Sequence, residues 1–114
     1  MIETVIKNFL EDKQDVPVML EMPSPAPESI VLIERTGGRG GKYVGTAMIV
    51  LQSYGATLLQ AAQLNDTVER VMLSLSELPQ ICRVEHNTSY NFTDPATKHY
   101  RYQAVYDITY YLEE

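Results

Sequence analysis

A chain of 114 residues with a net charge of −6 makes one domain, residues 1–114, and its acidic balance argues against broad nucleic-acid or anionic-membrane binding. Hydrophobic residues at 45% and charged residues at 21% support a packed core and exclude disorder, while a single cysteine excludes a disulfide framework and a Cys-cluster zinc site. No apolar run approaches the ~20 residues of a membrane span, and the opening MIETVIKNFLEDK carries acids too early for a signal peptide, so the chain reads as soluble, intracellular when made, and able to fold without a cofactor.

The first element is a helix over 2–13. Ile2, Val5, Ile6, Phe9 and Leu10 recur at helical spacing, with Glu3 near its start and Lys13 near its end. Asp15 and Pro17 end it, and VPVMLE predicts a short strand over 16–21. PSPAP at 23–27 is a stiff connector rather than a ligand for a proline-reading domain. SIVLIERT, 29–36, is a continuous apolar run of the kind a central strand shows, and YVGTAMIVLQSYG, 43–55, is a second strand rich in β-branched residues. The two form a hairpin around a flexible glycine tip, GGRGGK, 37–42. Residues 57–77 predict the longest helix, with Ala61, Leu64, Val68, Val71, Met72 and Leu75 as its buried stripe and Pro79 as its stop.

The last third is a hairpin. In KHYRYQAVYDITYYL, 98–112, Tyr100, Tyr102, Ala104, Tyr106, Ile108, Tyr110 and Leu112 alternate with mostly polar residues. ICRVEHNTSYNF, 81–92, alternates more weakly, with Cys82, Val84, Tyr90 and Phe92 on its even face. A four-residue loop at Asp94–Thr97 sets Tyr90 opposite Arg101 and mismatches the two faces; a five-residue loop or a bulge repairs this. Of the two matched registers, one sets Arg83 opposite Asp107 and the other sets Glu85 there. Like charges directly opposed are destabilising, which favours Arg83. The whole predicts an α+β domain: a mostly antiparallel sheet of four to five strands carrying two helices, in the order α-β-β-β-α-β-β.

A search for chemistry returns surfaces rather than a catalytic centre. GGRGGK fails the phosphate-loop spacing, since Thr36 and Tyr43 stand where a glycine and a Ser or Thr are needed. It reads as a mobile tip whose Arg39 and Lys42 suit docking onto an acidic partner. Cys82 reads as a buried structural cysteine on an apolar face. His86 falls on the tyrosine-bearing face and His99 on the polar one, so they do not share a metal. Glu85 and Asp107 share the polar face with Arg83 and Arg101, either as a carboxylate pair for acid–base work or, the favoured reading, as a solvated or intersubunit face. Tyrosine joins a large ring to a polar tip, which suits interfaces. Tyr111, facing away from the other strand tyrosines, is the best single interface candidate among them.

Two segments resemble a known family. AMIVLQSYGATLLQAAQLNDTVERVMLSL is similar to the strand-turn-helix of small tail proteins of long-tailed phages, with Tyr54 in the aromatic place of the turn, Ala61, Ala62 and Leu64 at the small-apolar helix positions, and Val68 with Met72 on the later stripe. TKHYRYQAVYDITYYL resembles that family's closing strand through Arg101, Tyr102, Ala104, Tyr106 and Ile108. Length and element order also fit, whereas GGRGG and PSPAP have no counterpart. The resemblance is to tail terminator, or tail completion, proteins. It implies a non-enzymatic virion component without cofactor or metal, assembling as a hexameric ring on the head-proximal end of the tail. Its partners would be copies of itself, the tail tube protein and a head or neck connector, with neither a specific nucleic acid nor a membrane. Arg39 and Lys42 would then dock to tube or neck, and Arg83, Glu85, Arg101, Asp107 and Tyr111 would lie between subunits. Another connector, neck or minor capsid protein is the alternative, and a small enzyme or ligand-binding domain the more distant one.

Overall fold

The computed structural model describes residues 1–112. It is an α+β domain in which two helices lie on one side of a five-stranded mixed sheet. Helix α1 is Ile2–Lys13, followed by β1 (Val18–Met19), β2 (Ile30–Arg39), β3 (Val44–Tyr54), helix α2 (Leu58–Met72), a 3₁₀ turn at Leu75–Glu77, β4 (Ile81–Asn91) and β5 (Arg101–Tyr111). The sheet order is β1-β2-β3-β5-β4; β1 runs parallel to β2, and the other neighbours are antiparallel. The α2 connection therefore carries the chain past β5 to the far edge, and β5 returns between β3 and β4.

Alternation along the strands decides what each side of the sheet holds. Ala47, Ile49 and Leu51 of β3 pair across to Ile108, Tyr106 and Ala104 of β5, and all six are buried under the helices. Val31 and Ile33 of β2 join the same core, with Ile2, Ile6, Phe9 and Leu10 from α1 and Val68 and Met72 from α2. Each fully buried aliphatic of this kind stabilises the fold by roughly 1.5–3 kcal/mol. Helix α2 starts at an N-cap, where the Thr57 hydroxyl accepts the Gln60 N–H at 3.1 Å.

The structure departs from the sequence reading at several points. β1 spans two residues instead of six. Strand β2 runs into the glycine tip as far as Arg39, with Gly37 and Gly38 paired to Met48 and Ala47. Gly38 takes φ of 129°, and a Cβ there would strike the Thr46 carbonyl oxygen and the Ala47 backbone, so glycine is required for this close approach. Helix α2 stops at Met72, five residues early, because the chain tightens into the 3₁₀ turn that buries Leu75 before Pro79. Asn65, absent from the expected stripe, is buried in it, where its amide donates to Glu69 Oε2 at 2.8 Å.

The β4–β5 register is the main correction. Glu85, not Arg83, lies opposite Asp107. Bulges at Cys82 and Asn87 set this pairing. The Asn87 amide donates to Asp107 Oδ2 at 2.7 Å, and Arg83 stands 3.5 Å from Glu85, so each carboxylate has its own partner. The Cys82 bulge also turns that cysteine outward, where it is exposed rather than buried. The Asn87 bulge moves Tyr90 off the helix side: it pairs with Gln103 on the opposite side of the sheet and does not share a face with Tyr102 and Tyr106 as expected. The bulge matches Val84 and His86 to the side of Ile108 and Tyr106 but leaves Tyr90 on the other side, so the even residues of β4 do not share one face as expected.

Candidate functional site

The side of the sheet away from the helices is a surface with two ends. At one end stand Arg83, Glu85, Asp107 and Tyr111, beside Val44 and Met48, which are 41% and 40% exposed. Tyr111 pairs with Val44 and is itself 54% exposed. Its phenol is held above the usual tyrosine range, chiefly by a hydrogen bond with the Cys82 thiol. Arg101 lies at the other end, roughly 20 Å from Asp107 at ~3.3 Å per strand residue. Four of the five expected interface residues are therefore brought together, and the fifth belongs to a different cluster.

That second cluster was not anticipated. Tyr90 bonds Gln103, Gln103 accepts from Gln52 at 2.8 Å, Gln52 accepts from Tyr54 at 3.4 Å, and the Arg101 guanidinium donates to Tyr54 at 2.9 Å. Arg101 also donates to the Phe92 carbonyl at 2.7 Å and lies 4.7 Å from the Phe92 ring centroid, while Tyr90 meets Phe92 edge-on. A polar ladder thus crosses β4, β5 and β3. Pairing residues on three strands creates it, so no one segment carried a signal for it. His99 packs against Tyr54 on this side, and His86 packs against Tyr106 beneath α2, so the two histidines occupy opposite sides of the sheet.

Between α2 and β4 lies a groove of about 490 Å³ lined by Asp66, Glu69, Met72, Leu73, His86 and Tyr106 among others. Glu69 bridges its walls, accepting from Asn65 at 2.8 Å and standing 3.2 Å from His86 Nε2, which is also 2.8 Å from the Ser89 hydroxyl. The Tyr106 side chain is buried, and its hydroxyl has no hydrogen-bond partner among the described residues. Burial, seconded by the Glu69 charge, pushes that hydroxyl far above the usual tyrosine range, so it stays protonated. Leu73 stands 78% exposed at the rim.

The β2–β3 hairpin presents Arg39 at the end of β2 and Lys42 in the turn, both exposed, with Lys42 5.3 Å from the exposed Tyr43 ring. The stretch Arg35–Tyr43 holds three of the chain's nine Lys and Arg residues and no carboxylate. The rest of the chain therefore carries six cations against fifteen acids, a net of −9 beside +3. Two sheet edges are also free among the described residues. β4 pairs only with β5, and β2 beyond Leu32 pairs only with β3. Such edges present unpaired backbone donors and acceptors. No helix of the described residues is long and apolar enough to cross a membrane, and no group of three or more His, Cys, Asp or Glu among them is placed to hold a metal ion. Compared with protein-family models the sequence matches none, and a comparison with curated proteins finds no match.

Proposed function

We propose that this chain is a phage or prophage tail terminator, a minor tail protein that caps the tail tube, stops its polymerisation and forms the head–tail joining surface as a hexameric ring. It acts by assembly and not by catalysis, in the virion after assembly in the host cytoplasm. The reading begins from the resemblance of the strand-turn-helix around Tyr54 and of the closing strand, within an α+β domain of the matching element order. The observation that carries it is the pair of unlike free edges, β2 and β4, on opposite sides of one sheet. Identical subunits close a ring only through a heterologous contact, in which two different patches of the same chain meet. The cationic hairpin on an acidic body supplies a second asymmetry, fitting an acidic neighbour in the particle. The acidic body also repels passing DNA.

The test replaces Arg39 and Lys42 by Glu. Both side chains are exposed, so the variant folds with unchanged circular dichroism while its attachment to purified tail tubes falls below detection. Unchanged attachment would remove the hairpin from the docking surface. Gold-labelled protein seen by electron microscopy at the head-proximal tube end supports the terminator. Label on the head vertex alone supports a connector or neck protein instead.

A further inference from the structure

The two free edges are complementary to each other. β2, β3, β5 and β4 alternate in direction, so β2 and β4 run opposite ways. Set beside a second copy, β4 and the neighbour's β2 therefore meet as an antiparallel pair. The free stretch of β2 runs over Ile33–Arg39, seven residues, because Val31 and Leu32 are taken by β1. A seven-residue partner, Glu85–Asn91, ends with β4 itself.

Both stretches contain a bulge, at Thr36 in β2 and at Asn87 in β4. A bulge switches which side of the sheet the following residues face. On β4, Glu85 faces away from the helices and His86 toward them; past Asn87, Tyr90 faces away and Ser89 toward them. On β2, Glu34 faces away and Arg35 toward the helices; past Thr36, Arg39 faces away and Gly38 toward them. A regular strand laid on either edge would be mismatched beyond the bulge, which is how such edges resist unwanted partners. A strand with a bulge in the facing position keeps both sides in phase.

We propose that copies of this chain join by continuing the sheet, the β2 edge of one pairing antiparallel with the β4 edge of the next. The register sets Arg39 opposite Glu85, Arg35 opposite Ser89, Glu34 opposite Tyr90 and Ile33 opposite Asn91. It sets the two bulges at neighbouring positions, Thr36 opposite Thr88 and Gly37 opposite Asn87, so the faces match on both sides of them, and it gives Glu85, which already stands opposite the like-charged Asp107, a cation from the neighbour. Shifting the neighbour by two residues in one direction would set Arg39 against Arg83, and in the other against the Asn87 bulge. In the matched register Arg35 enters beside Ser89 on the groove side, where the partly exposed Glu69 carboxylate offers an acceptor to a guanidinium. In this contact Arg39 faces the neighbouring subunit, so of the two hairpin cations only Lys42, beyond the paired stretch, stays free for docking, and Lys42→Glu alone separates docking from the subunit contact. The arrangement deepens the ring reading by naming its subunit contact, yet it is a property of the chain alone and is tested without tails.

In a Cys82→Ser background, Glu34→Cys and Tyr90→Cys are combined in one chain and oxidised at high protein concentration. Directly opposed antiparallel residues are ~4.5–5.5 Å apart at Cα, within disulfide reach. The expected result is a ladder of cross-linked multimers, absent from either single-cysteine chain and from the offset pair Glu34→Cys with Thr88→Cys. Arg39→Glu lowers the cross-linked yield by about tenfold or more, and adding Glu85→Arg to it restores the yield. No ladder from the matched pair, or equal ladders from matched and offset pairs, overturns the proposal. A matched-pair ladder from a protein that never caps tubes leaves the proposal standing and removes the terminator reading; capping without a ladder does the reverse.

Discussion

Glu11 shows how much a single side chain contributes at the junction of α1 and β1. Its carboxylate accepts from Lys7 Nζ at 2.6 Å and from the Val18 N–H at 3.4 Å. The Lys7 hydrogen bond holds its pKa below the ordinary glutamate range, partial burial opposes this, and the Val18 N–H and the Lys7 charge add to the lowering. A carboxylate whose pKa is lowered on folding stabilises the fold above its unfolded pKa, about 4.3, and loses that contribution as pH falls through the folded value. The pair is partly exposed, so the effect is small. Glu11→Gln is expected to cost roughly 0.5 kcal/mol at pH 7 by urea denaturation and nothing once the pH lies below the folded value. A difference that persists undiminished at acid pH would assign the effect to packing. Residue-scale charge pairing was only partly legible in the sequence. The i, i+4 spacing of Lys7 and Glu11 is visible there, whereas the Val18 contact requires the chain to turn back on itself.

Among the elements, the β2–β3 hairpin departs most from its sequence reading. A run of glycines reads as a loose tip because glycine disfavours strands. Here Gly37 and Gly38 are paired, and the Gly38 backbone lies close against Thr46 in a conformation that side chains rarely adopt. Gly38→Ala is expected to destabilise the hairpin by about 1–3 kcal/mol, whereas Gly40→Ala, where a Cβ meets open space, stays within about 0.5 kcal/mol. Amide exchange at Arg39 and Thr46, set against exchange at the buried Ile49 and Leu51, checks whether the loss is local. Equal stability of the two variants would mean that the strand does not need its glycine. The bulges at Thr36 and Asn87 belong to the same scale. Alternation in the sequence showed that the β4–β5 faces needed a bulge or a longer loop; the bulge at Asn87, whose amide reaches Asp107, matches the faces only on its Val84 side and turns Tyr90 away.

For the whole molecule, the separation of charge matters more than its total. A segment of +3 on a body of −9 favours contacts between unlike parts of two copies and disfavours contacts between like parts. The proposed contact between Arg39 and a neighbour's Glu85 lies at an exposed edge, so association through it is expected to weaken as salt rises, as screening shortens the Debye length from about 10 Å at 0.1 M to about 3 Å at 1 M. Sedimentation velocity at high protein concentration checks this; association that strengthens with salt would point to the exposed Leu73, Met48 and Val44 instead. The candidate surfaces divide in the same way. Arg39, Lys42, Arg83, Glu85, Asp107 and Tyr111 could be picked out one by one, while the α2–β4 groove and the Tyr90–Gln103–Gln52–Tyr54–Arg101 ladder could not, because each draws on strands or helices far apart in the chain.

Hydrophobic spacing by itself determined the helix over 2–13, the start of the second helix, the two long hairpins and the α+β order, because these follow from local periodicity and from where apolar residues must be hidden. Tertiary structure alone decided that β5 sits between β3 and β4, that β2 and β4 are the free edges, and which carboxylate faces Asp107. Those outcomes depend on bulges and crossovers, where one extra residue or one long connection outweighs any preference written in a single segment.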